Sequence, residues 1–344
     1  MAKNFDEIKF AVEALSGGKN TVLFDDQEMP SIMVPFNEMK CSDVISGGSS
    51  NILPPFSVNS VEKKLLYVSK FQNIVVNGRA YSLAGKDPAN NVNFDTALTY
   101  CRNKGNGWCL LPYALWAAIA LWCRKNGTMP RGNNNYGADH GYPYEKGTPR
   151  NQSGSVDRIL TGSGPNTWSH NWMPDGIFDL NGNVWEWCAG MRLVDGEIQI
   201  IPYGNIFDPE VSNGADSTAW KAIKSDGSIV DPGTSGTLKY DGSSFKLTTS
   251  KSGSSGQSGS YTSMSKDSSL TVPEIAKALI LYPDEPGGDY GGDYHWWTPE
   301  GERLPICGGG WVNGAYAGVF VVALDDPRSS AVGNIGFRSA FVDL

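Results

Sequence analysis

Two consecutive segments carry apolar residues at the spacing of an amphipathic helix. In the first segment the periodic positions are Phe94, Ala97, Leu98 and Cys101. Asn93 precedes them and is a residue type that caps helices, and the glycine-rich break at 104–107 ends the segment. In the second segment they are Leu115, Ala118, Ile119 and Trp122, and Asn126-Gly127 supplies a stop. The pattern predicts helices near 94–103 and 112–125.

Elsewhere the pattern predicts strands and long loops. Residues 65–76 and 197–201 have the character of strands, and Asn77-Gly78 is a turn pair after the first. Residues 128–174 are rich in Gly, Asn, Pro and Tyr, and so long a loop in a compact domain is usually functional or well packed. The Ser- and Gly-rich segment 250–260 predicts a flexible loop, and 273–281 a short helix or strand. Two helices followed by a region without helical periodicity indicate an α+β domain.

Composition narrows the class of protein. Only 19% of the 344 residues are charged, while there are 41 glycines and 11 tryptophans, which indicates a loop-rich globular protein. The formal net charge of -8 disfavours nucleic acid as a partner, because an acidic surface repels phosphates. No apolar run has the length of a transmembrane helix, and the first residues show no signal peptide, so we expect no membrane insertion.

The metal-binding residue types show no ligand spacing. None of the six cysteines forms a C-x-x-C pair, and the three histidines are scattered. In the absence of a signal peptide, we expect free buried thiols rather than a disulfide framework. We expect neither a metal site nor a cofactor.

The most specific stretch runs from Gly176 to Cys188 and reads GIFDLNGNVWEWC. Within it, Asn181-Gly182 predicts a tight turn, and the alternation from Val184 to Trp187 fits a strand. The stretch resembles the D-L-x-G-N-V-x-E-W signature of the formylglycine-generating-enzyme-like (sulfatase-modifying factor) branch of the C-type lectin fold.

Two further segments carry the same resemblance. NFDTA at 93–97 and LLPYALWAA at 110–118 resemble the two-helix segment of that branch, although Leu115 stands where Glu is usual. CGGGW at 307–311 and NIGFR at 334–338 resemble its closing R-G-G-S-W…N-x-G-F-R pair. The resemblance implies an α+β, C-type-lectin-like domain over 61–344, with two helices, mixed short strands and much irregular structure. The resemblance does not cover an insertion at 192–290 or an N-terminal extension at 1–60. We interpret the extension as a few strands used for assembly, which would make the protein a homo-oligomer.

The enzymes of this branch need residues that the chain lacks. Formylglycine-generating enzymes carry a reactive cysteine pair shortly before G-F-R, and its thiolates hold copper. Residues 308–344 contain neither cysteine nor histidine, and Cys307 stands alone. The iron-dependent sulfoxide synthases of the same fold need a His/Glu ligand set that scattered histidines do not supply. We therefore expect no catalytic residues, and a formylglycine-generating-enzyme-like oxidoreductase or related metal-dependent enzyme stays the alternative.

Residues 308–338 resemble more closely the variable region of proteins diversified by diversity-generating retroelements, which replace template adenines at random. The template pattern of that family resembles GGNWNNGANAGVFNVNLNNPRSN. Departures from its Asn positions fall at Gly310, Val312, Tyr316, Val321, Ala323, Asp325, Asp326, Ser330, Val332 and Gly333. Their residue types are all reachable from an Asn codon by changing only its adenines. Lys, Glu, Gln, Met and Trp are not reachable, and none of these occurs in 308–338 except at the fixed Trp311.

The resemblance implies that these ten positions, with Asn313 and Asn334, form a ligand-binding face. Fixed residues such as Trp311, Arg328 and Phe337 would be scaffold, and the arginines would pair with acids or backbone. We predict that eight positions cluster on one exposed face, with Tyr316 as the best anchor: Val312, Tyr316, Val321, Ala323, Asp325, Asp326, Ser330 and Val332.

Other interpretations of these residues stay open. Residues 321–324 also fit a buried strand, and Asp325-Asp326 fits a calcium-ligand pair, a catalytic pair or an exposed turn. The aromatic cluster Tyr290, Tyr294, His295, Trp296 and Trp297 fits a sugar platform, core packing or the rim of the site.

The sequence therefore predicts a non-catalytic, hypervariable binding protein. Its expected partner is a variable protein or glycan on a cell surface. The absence of a signal peptide favours a virion component such as a phage tail receptor-binding protein, or a variable protein of the bacterial cytoplasm.

Overall fold

The computed structural model describes residues 4–151 and 154–344. Its helices are α1 (Asn4–Ser16), α2 (Cys41–Val44), α3 (Phe94–Arg102), α4 (Tyr113–Asn126) and α5 (Glu274–Ala278). Its strands are β1 (Thr21–Phe24), β2 (Pro30–Asn37), β3 (Ser57–Val58), β4 (Val61–Glu62), β5 (Leu65–Ser69), β6 (Ile74–Val76), β7 (Arg79–Tyr81), β8 (Trp108–Leu110), β9 (Trp185–Trp187), β10 (Met191–Val194), β11 (Glu197–Ile200), β12 (Lys221–Ile223), β13 (Ile229–Val230), β14 (Lys239–Tyr240), β15 (Lys246–Thr248), β16 (Gln257–Ser260), β17 (Ser265–Lys266), β18 (Tyr294–Trp297), β19 (Glu302–Arg303), β20 (Ile306–Gly308), β21 (Gly318–Leu324), β22 (Ile335–Phe337) and β23 (Ser339–Phe341).

Both helices predicted from periodicity are confirmed, and so are their end signals. The Asn93 side chain accepts a hydrogen bond from the Thr96 N–H (2.9 Å) at the start of α3. Gly127 follows α4 with a φ of 66°, the left-handed conformation that favours glycine at a helix end. The α4 helix is buried along nearly its whole length, as expected for a helix that is apolar on most sides.

The predicted strand over 65–76 is two strands. β5 ends at Ser69, and β6 forms a separate hairpin with β7. The turn of that hairpin is the expected Asn77-Gly78 pair, with φ values of 50° and 71°. The predicted strand over 197–201 is β11, and the predicted short element over 273–281 is the helix α5.

Three sheets carry most of the regular structure. One has the order β1-β2-β5-β23-β8, and another has the order β16-β18-β21-β20-β9-β22. The third has the path β13-β12-β11-β14-β15-β17, with β10 attached to β11 and β19 attached to β10. The predicted fold class is confirmed: the chain is α+β, with the two helices, short mixed strands and long irregular segments expected of a C-type-lectin-like fold.

The first 60 residues contain the expected strands and two unexpected helices, α1 and the short α2. β2 pairs with β5, so this segment continues a sheet of the following region. Helix α1 was not predicted, although Ile8, Val12 and Leu15 recur at helical spacing in the sequence. In the structure Phe10 and Leu15 are exposed. The domain boundary at residue 60 and the assembly role stay predictions.

The segment 192–290 packs into the same buried core as the rest of the chain. Trp220, Tyr240 and Leu247 belong to one hydrophobic cluster with Phe337. The prediction of a flexible loop over 250–260 is wrong at its end, because Gln257–Ser260 forms β16 and pairs with β18. Gly259 lies against the Phe245 ring, where a Cβ would come 2.8 Å from Cδ1. The status of this segment as an insertion stays a prediction.

The buried side chains agree with most of the sequence expectations. All six cysteines are free and buried. Trp185 and Trp187 are buried, whereas Trp311, which the resemblance places in the scaffold, is partly exposed. No helix in the described part of the chain is long and apolar enough to cross a membrane.

Buried His295 makes stability depend on pH. Its Nε2 lies 2.9 Å from the Phe320 carbonyl oxygen, and burial lowers its pKa to about 3. Below the unfolded pKa of about 6.5, the unfolded chain binds a proton that the folded chain does not, so stability present above that pH is lost as the pH falls toward the folded pKa. We expect wild type to lose roughly 2–3 kcal/mol more stability than His295→Asn between pH 7 and pH 4.5. Urea unfolding at both pH values measures this, and equal losses would contradict it.

Candidate functional site

The six-stranded sheet places two tryptophans near the predicted variable strand β21, Trp296 on the adjacent β18 and Trp185 on β9, one strand further away. Strand β21 lies between β18 and β20, with Ala323 directly opposite Trp296 on one side and Ile306 on the other. Residues paired in this way project from the same face of a sheet. The Trp185 ring lies edge-on to the Trp296 ring, with centroids 5.9 Å apart. The sheet thus carries an aromatic pair beside Ala323.

Over this pair lies a cleft of about 310 Å³, which we call the aromatic cleft. Its lining residues are Trp185, Trp296, Ile306, Asn313, Ala323, Asp325, Asp326, Val332, Asn334 and Ile335. Six of them are among the twelve predicted ligand-binding positions. The structure therefore brings together residues that lie up to 21 positions apart in the predicted region, from Asn313 to Asn334.

Tyrosines extend the aromatic surface beyond the cleft. The Tyr294 ring lies 5.4 Å from that of Trp296 and 4.3 Å from that of Tyr316. Tyr316 ends a short 3-10 helix (Gly314–Tyr316), and half of its surface is exposed. The sequence left three alternatives open for the aromatic cluster at 290–297. Trp296 is partly exposed in the floor of the cleft and Tyr294 is partly exposed beside it, whereas Tyr290, His295 and Trp297 are buried in the core.

The expectation that all eight positions are exposed is wrong for Val321 and Ala323. Both are buried, because β21 is an inner strand with a partner on each side. The alternative of a buried strand at 321–324 is the one observed. Gly310, also predicted in the site, is buried beside Trp185, where a Cβ would come 3.3 Å from the indole Cδ1.

The remaining predicted positions lie outside the cleft lining. Val312 is exposed, and Ser330 and Gly333 are partly exposed. The Gly333 carbonyl accepts a hydrogen bond from Arg158 Nη1 (3.2 Å), which ties this loop to the neighbouring long loop. The structure therefore places one part of the predicted set in the cleft and another part on the surface around it.

Asp325 and Asp326 give the cleft a negative edge. Asp325 is exposed at its rim and Asp326 is partly exposed. Desolvation by the surrounding chain raises the pKa of Asp325, and repulsion from Asp326 raises it further. Within residues 4–151 and 154–344, no group of three or more His, Cys, Asp or Glu side chains could hold a metal ion. The pair offers acceptors for hydrogen-bond donors or cations.

Two arginines fix the strands and loops around the cleft, as predicted. Arg338 is buried and forms a two-pronged ion pair with Glu186 of β9. Arg328 holds Glu302 through two hydrogen bonds of 3.0 Å, and it also binds Asp95 at 2.7 Å. Glu186 belongs to the sequence motif at 176–188 and Arg338 to the motif at 334–338. The structure joins these two motifs by a buried ion pair, which their spacing along the chain did not reveal.

Asn183 ties the tight turn to the long loop at 128–174. Its side chain accepts from the Ile159 N–H (2.9 Å) and donates to the Gln72 side chain (2.9 Å). Its carbonyl accepts from the Trp311 N–H (3.2 Å) at the start of the predicted variable region. These bonds give the edge of the cleft a rigid support.

No family model matches the chain, and no curated protein matches it. Among solved structures it is similar to variable protein 1 of Treponema denticola, with a TM-score of 0.36 and 13% identity over 94% of this chain and 98% of that one. It is also similar to PvdO from Pseudomonas aeruginosa, with a TM-score of 0.30 and 14% identity over 93% of this chain and 97% of that one. At these scores neither likeness assigns the chain to a family.

Proposed function

We propose that this protein is a non-catalytic ligand-binding protein whose aromatic cleft is diversified by a retroelement. The observation that carries the proposal is the lining of that cleft. Six positions at which the template resemblance expects variation surround Trp185 and Trp296, which lie outside the predicted variable region. A fixed aromatic floor with a changeable rim is suited to binding different ligands on one scaffold.

The exposure of the lining positions explains how variation would be tolerated. Asp325 and Val332 are exposed, and Asn313, Asp326 and Asn334 are partly exposed. Surface substitutions of this kind cost little folding energy, usually within about 0.5 kcal/mol. Ala323 is the buried member of the set, so a larger residue there would reshape the cleft.

The state of the cysteines supports binding rather than thiol chemistry. Cys307 lies beside Cys188, and both are buried. Burial raises the pKa of the Cys307 thiol well above its usual range, and the neighbouring Cys188 raises it further. A reactive cysteine needs an accessible, stabilised thiolate. The alternative enzymatic function has no such group in this region.

We infer a protein or glycan on a cell surface as the ligand, and a phage tail or the bacterial cytoplasm as the location of the protein. The exposed aromatic rings offer apolar contact area, and the carboxylates offer acceptors for hydroxyl and amide donors.

The retroelement part of the proposal is tested in the flanking DNA. We expect a second, non-coding copy of the region encoding 308–338 close to a reverse transcriptase gene. Adenines in that copy should fall in the codons of the twelve predicted positions, and the codons of scaffold residues such as Phe320 and Phe337 should be unchanged. A locus without such a copy would contradict diversification.

The binding part is tested on glycan arrays and on whole bacterial cells. For any ligand found, we expect Tyr316→Ala to weaken binding by up to roughly 2 kcal/mol, the effect of a hot-spot residue. Val61→Ala is the matched control, because Val61 is also exposed and lies in β4. Equal effects of the two substitutions would remove Tyr316 from the site. Copper-dependent oxidation of a cysteine peptide by the purified protein would overturn the non-catalytic assignment.

A further inference from the structure

A second and larger cleft, of about 850 Å³, opens at the C-terminal end of α4. We call it the α4 cleft. Its walls come from the end of α4, from the loops at 129–142 and 285–293, and from residues 317–319. None of the twelve predicted ligand-binding positions is among its lining residues, so it is a separate place on the molecule.

A buried carboxyl group, that of Asp293, lines this cleft. Only 3% of Asp293 is exposed. Its Oδ2 accepts a hydrogen bond from the Phe320 N–H (2.7 Å), and its Oδ1 accepts none from the described residues. The carboxyl lies against Gly318, where a Cβ would overlap it. Only a glycine at position 318 permits this close approach between the backbone and the Asp293 carboxyl. The Oδ1 atom of that carboxyl remains without a hydrogen-bond partner among the described residues.

The arginines that line the cleft are already paired elsewhere. Arg124 binds Asp284 at 3.2 Å and Glu285 at 2.6 Å. Arg131 pairs with Glu145 and lies 3.3 Å from the centroid of the Tyr142 ring. Lys125 also lines the cleft, but no lysine, arginine or histidine among the described residues forms an ion pair with Asp293.

The burial of Asp293 without a cationic partner changes its pKa. Burial raises its pKa well above the usual range, and the nearby carboxylate of Asp289 raises it further. A buried carboxylate without a counter-ion is unfavourable, and a cation brought to it removes that penalty. A positively charged group bound in the cleft therefore stabilises the ionised form of Asp293.

We propose that the α4 cleft binds a protonated primary amine, with Asp293 as its counter-ion. An ammonium group has three donors and forms a charge-assisted hydrogen bond with a carboxylate oxygen such as the unpartnered Oδ1. The cleft is much larger than an ammonium group, so the ligand carries an organic body. Trp172 and Tyr142, which line the cleft, give that body an apolar contact. A small organic amine and a lysine side chain share this chemistry.

Calorimetric titration of the full chain with matched probes tests the proposal. Benzylamine is compared with benzyl alcohol, which has nearly the same shape and no charge. Nα-acetyl-lysine amide is compared with its Nε-acetylated form. We expect at least one amine to bind, and its neutral counterpart to bind at least about tenfold more weakly. Binding of benzylamine alone identifies a small amine, and binding of the lysine probe extends the ligand to proteins that present lysine.

Variants locate the amine within the cleft. Asp293→Asn keeps an oxygen that accepts the Phe320 N–H and removes the charge, so we expect it to weaken amine binding by at least about tenfold. Asp343→Asn is the control, because this carboxylate is exposed and lines neither cleft; we expect a change of less than about threefold.

Three results would overturn the proposal: no binding of either amine, equal binding of the neutral probes, or unchanged binding to a folded Asp293→Asn. The comparison of charged and neutral probes needs no variant, so it stands even if Asp293→Asn unfolds. Tyr316→Ala should leave amine binding unchanged, which separates this site from the aromatic cleft.

Discussion

Replacing Arg338 by Met is expected to lower the free energy of unfolding by roughly 3–5 kcal/mol, the cost of breaking a buried ion pair from one side. Arg338 is fully buried, and its guanidinium holds both carboxylate oxygens of Glu186. It also donates to the carbonyls of Ser69 (3.2 Å) and Phe178 (3.0 Å). Methionine fills part of the volume but leaves the buried Glu186 charge without its cationic partner, with one hydrogen bond from Gln72 Nε2 (3.1 Å), and removes the Arg338 donors from the two carbonyls.

Urea unfolding of four variants, Arg338→Met, Glu186→Gln, their double variant and a control, measures this effect. Arg303→Met is the matched control, because Arg303 is partly exposed and its side chain donates, among the described residues, only to the Glu300 carbonyl (3.0 Å); it should cost within about 0.5 kcal/mol. The double variant Arg338→Met with Glu186→Gln should cost less than the sum of the two single changes, because it removes both charges together. Additive losses would show that the two residues are not coupled in the folded protein.

The sequence predicted those parts of the fold that depend on neighbouring residues. The periodic positions of α3 and α4, the cap at Asn93 and the stop at Gly127 are local signals, and all four are confirmed. Helix α1 was not predicted although its Ile8, Val12 and Leu15 recur at helical spacing, so a local signal was present and was not used. Strand β16 gave no local signal, because its Gln-Ser-Gly-Ser sequence has no apolar alternation, and its pairing with β18 decides its structure.

The same distinction applies to the candidate site. The template resemblance predicted which positions vary, and six of them line the aromatic cleft. It did not predict that Val321 and Ala323 are buried, because burial depends on strands β18 and β20 on either side of β21. Nor did it select Trp296 over its neighbour Trp297, since only the register of β18 shows which of the two faces the cleft.

Phe337 and Tyr316 lie on opposite sides of the predicted division between scaffold and binding face. Phe337 is fully buried in β22, directly opposite Trp187 of β9, and its ring lies 6.4 Å from that of Tyr100. Tyr316 is half exposed and makes its ring contact with Tyr294. The same truncation to alanine should therefore have very different consequences at the two positions.

We expect Phe337→Ala to lower the free energy of unfolding by roughly 3–5 kcal/mol, because it removes a buried ring and leaves a cavity that the surrounding strands fill only in part. We expect Tyr316→Ala to cost under about 1 kcal/mol, the scale of one exposed aromatic contact. Urea unfolding of both variants beside wild type measures the difference, and binding to any ligand found for the aromatic cleft should show the reverse order. A loss of stability in Tyr316→Ala as large as that in Phe337→Ala would make residue 316 part of the core, and the ligand-binding face would then have to exclude it.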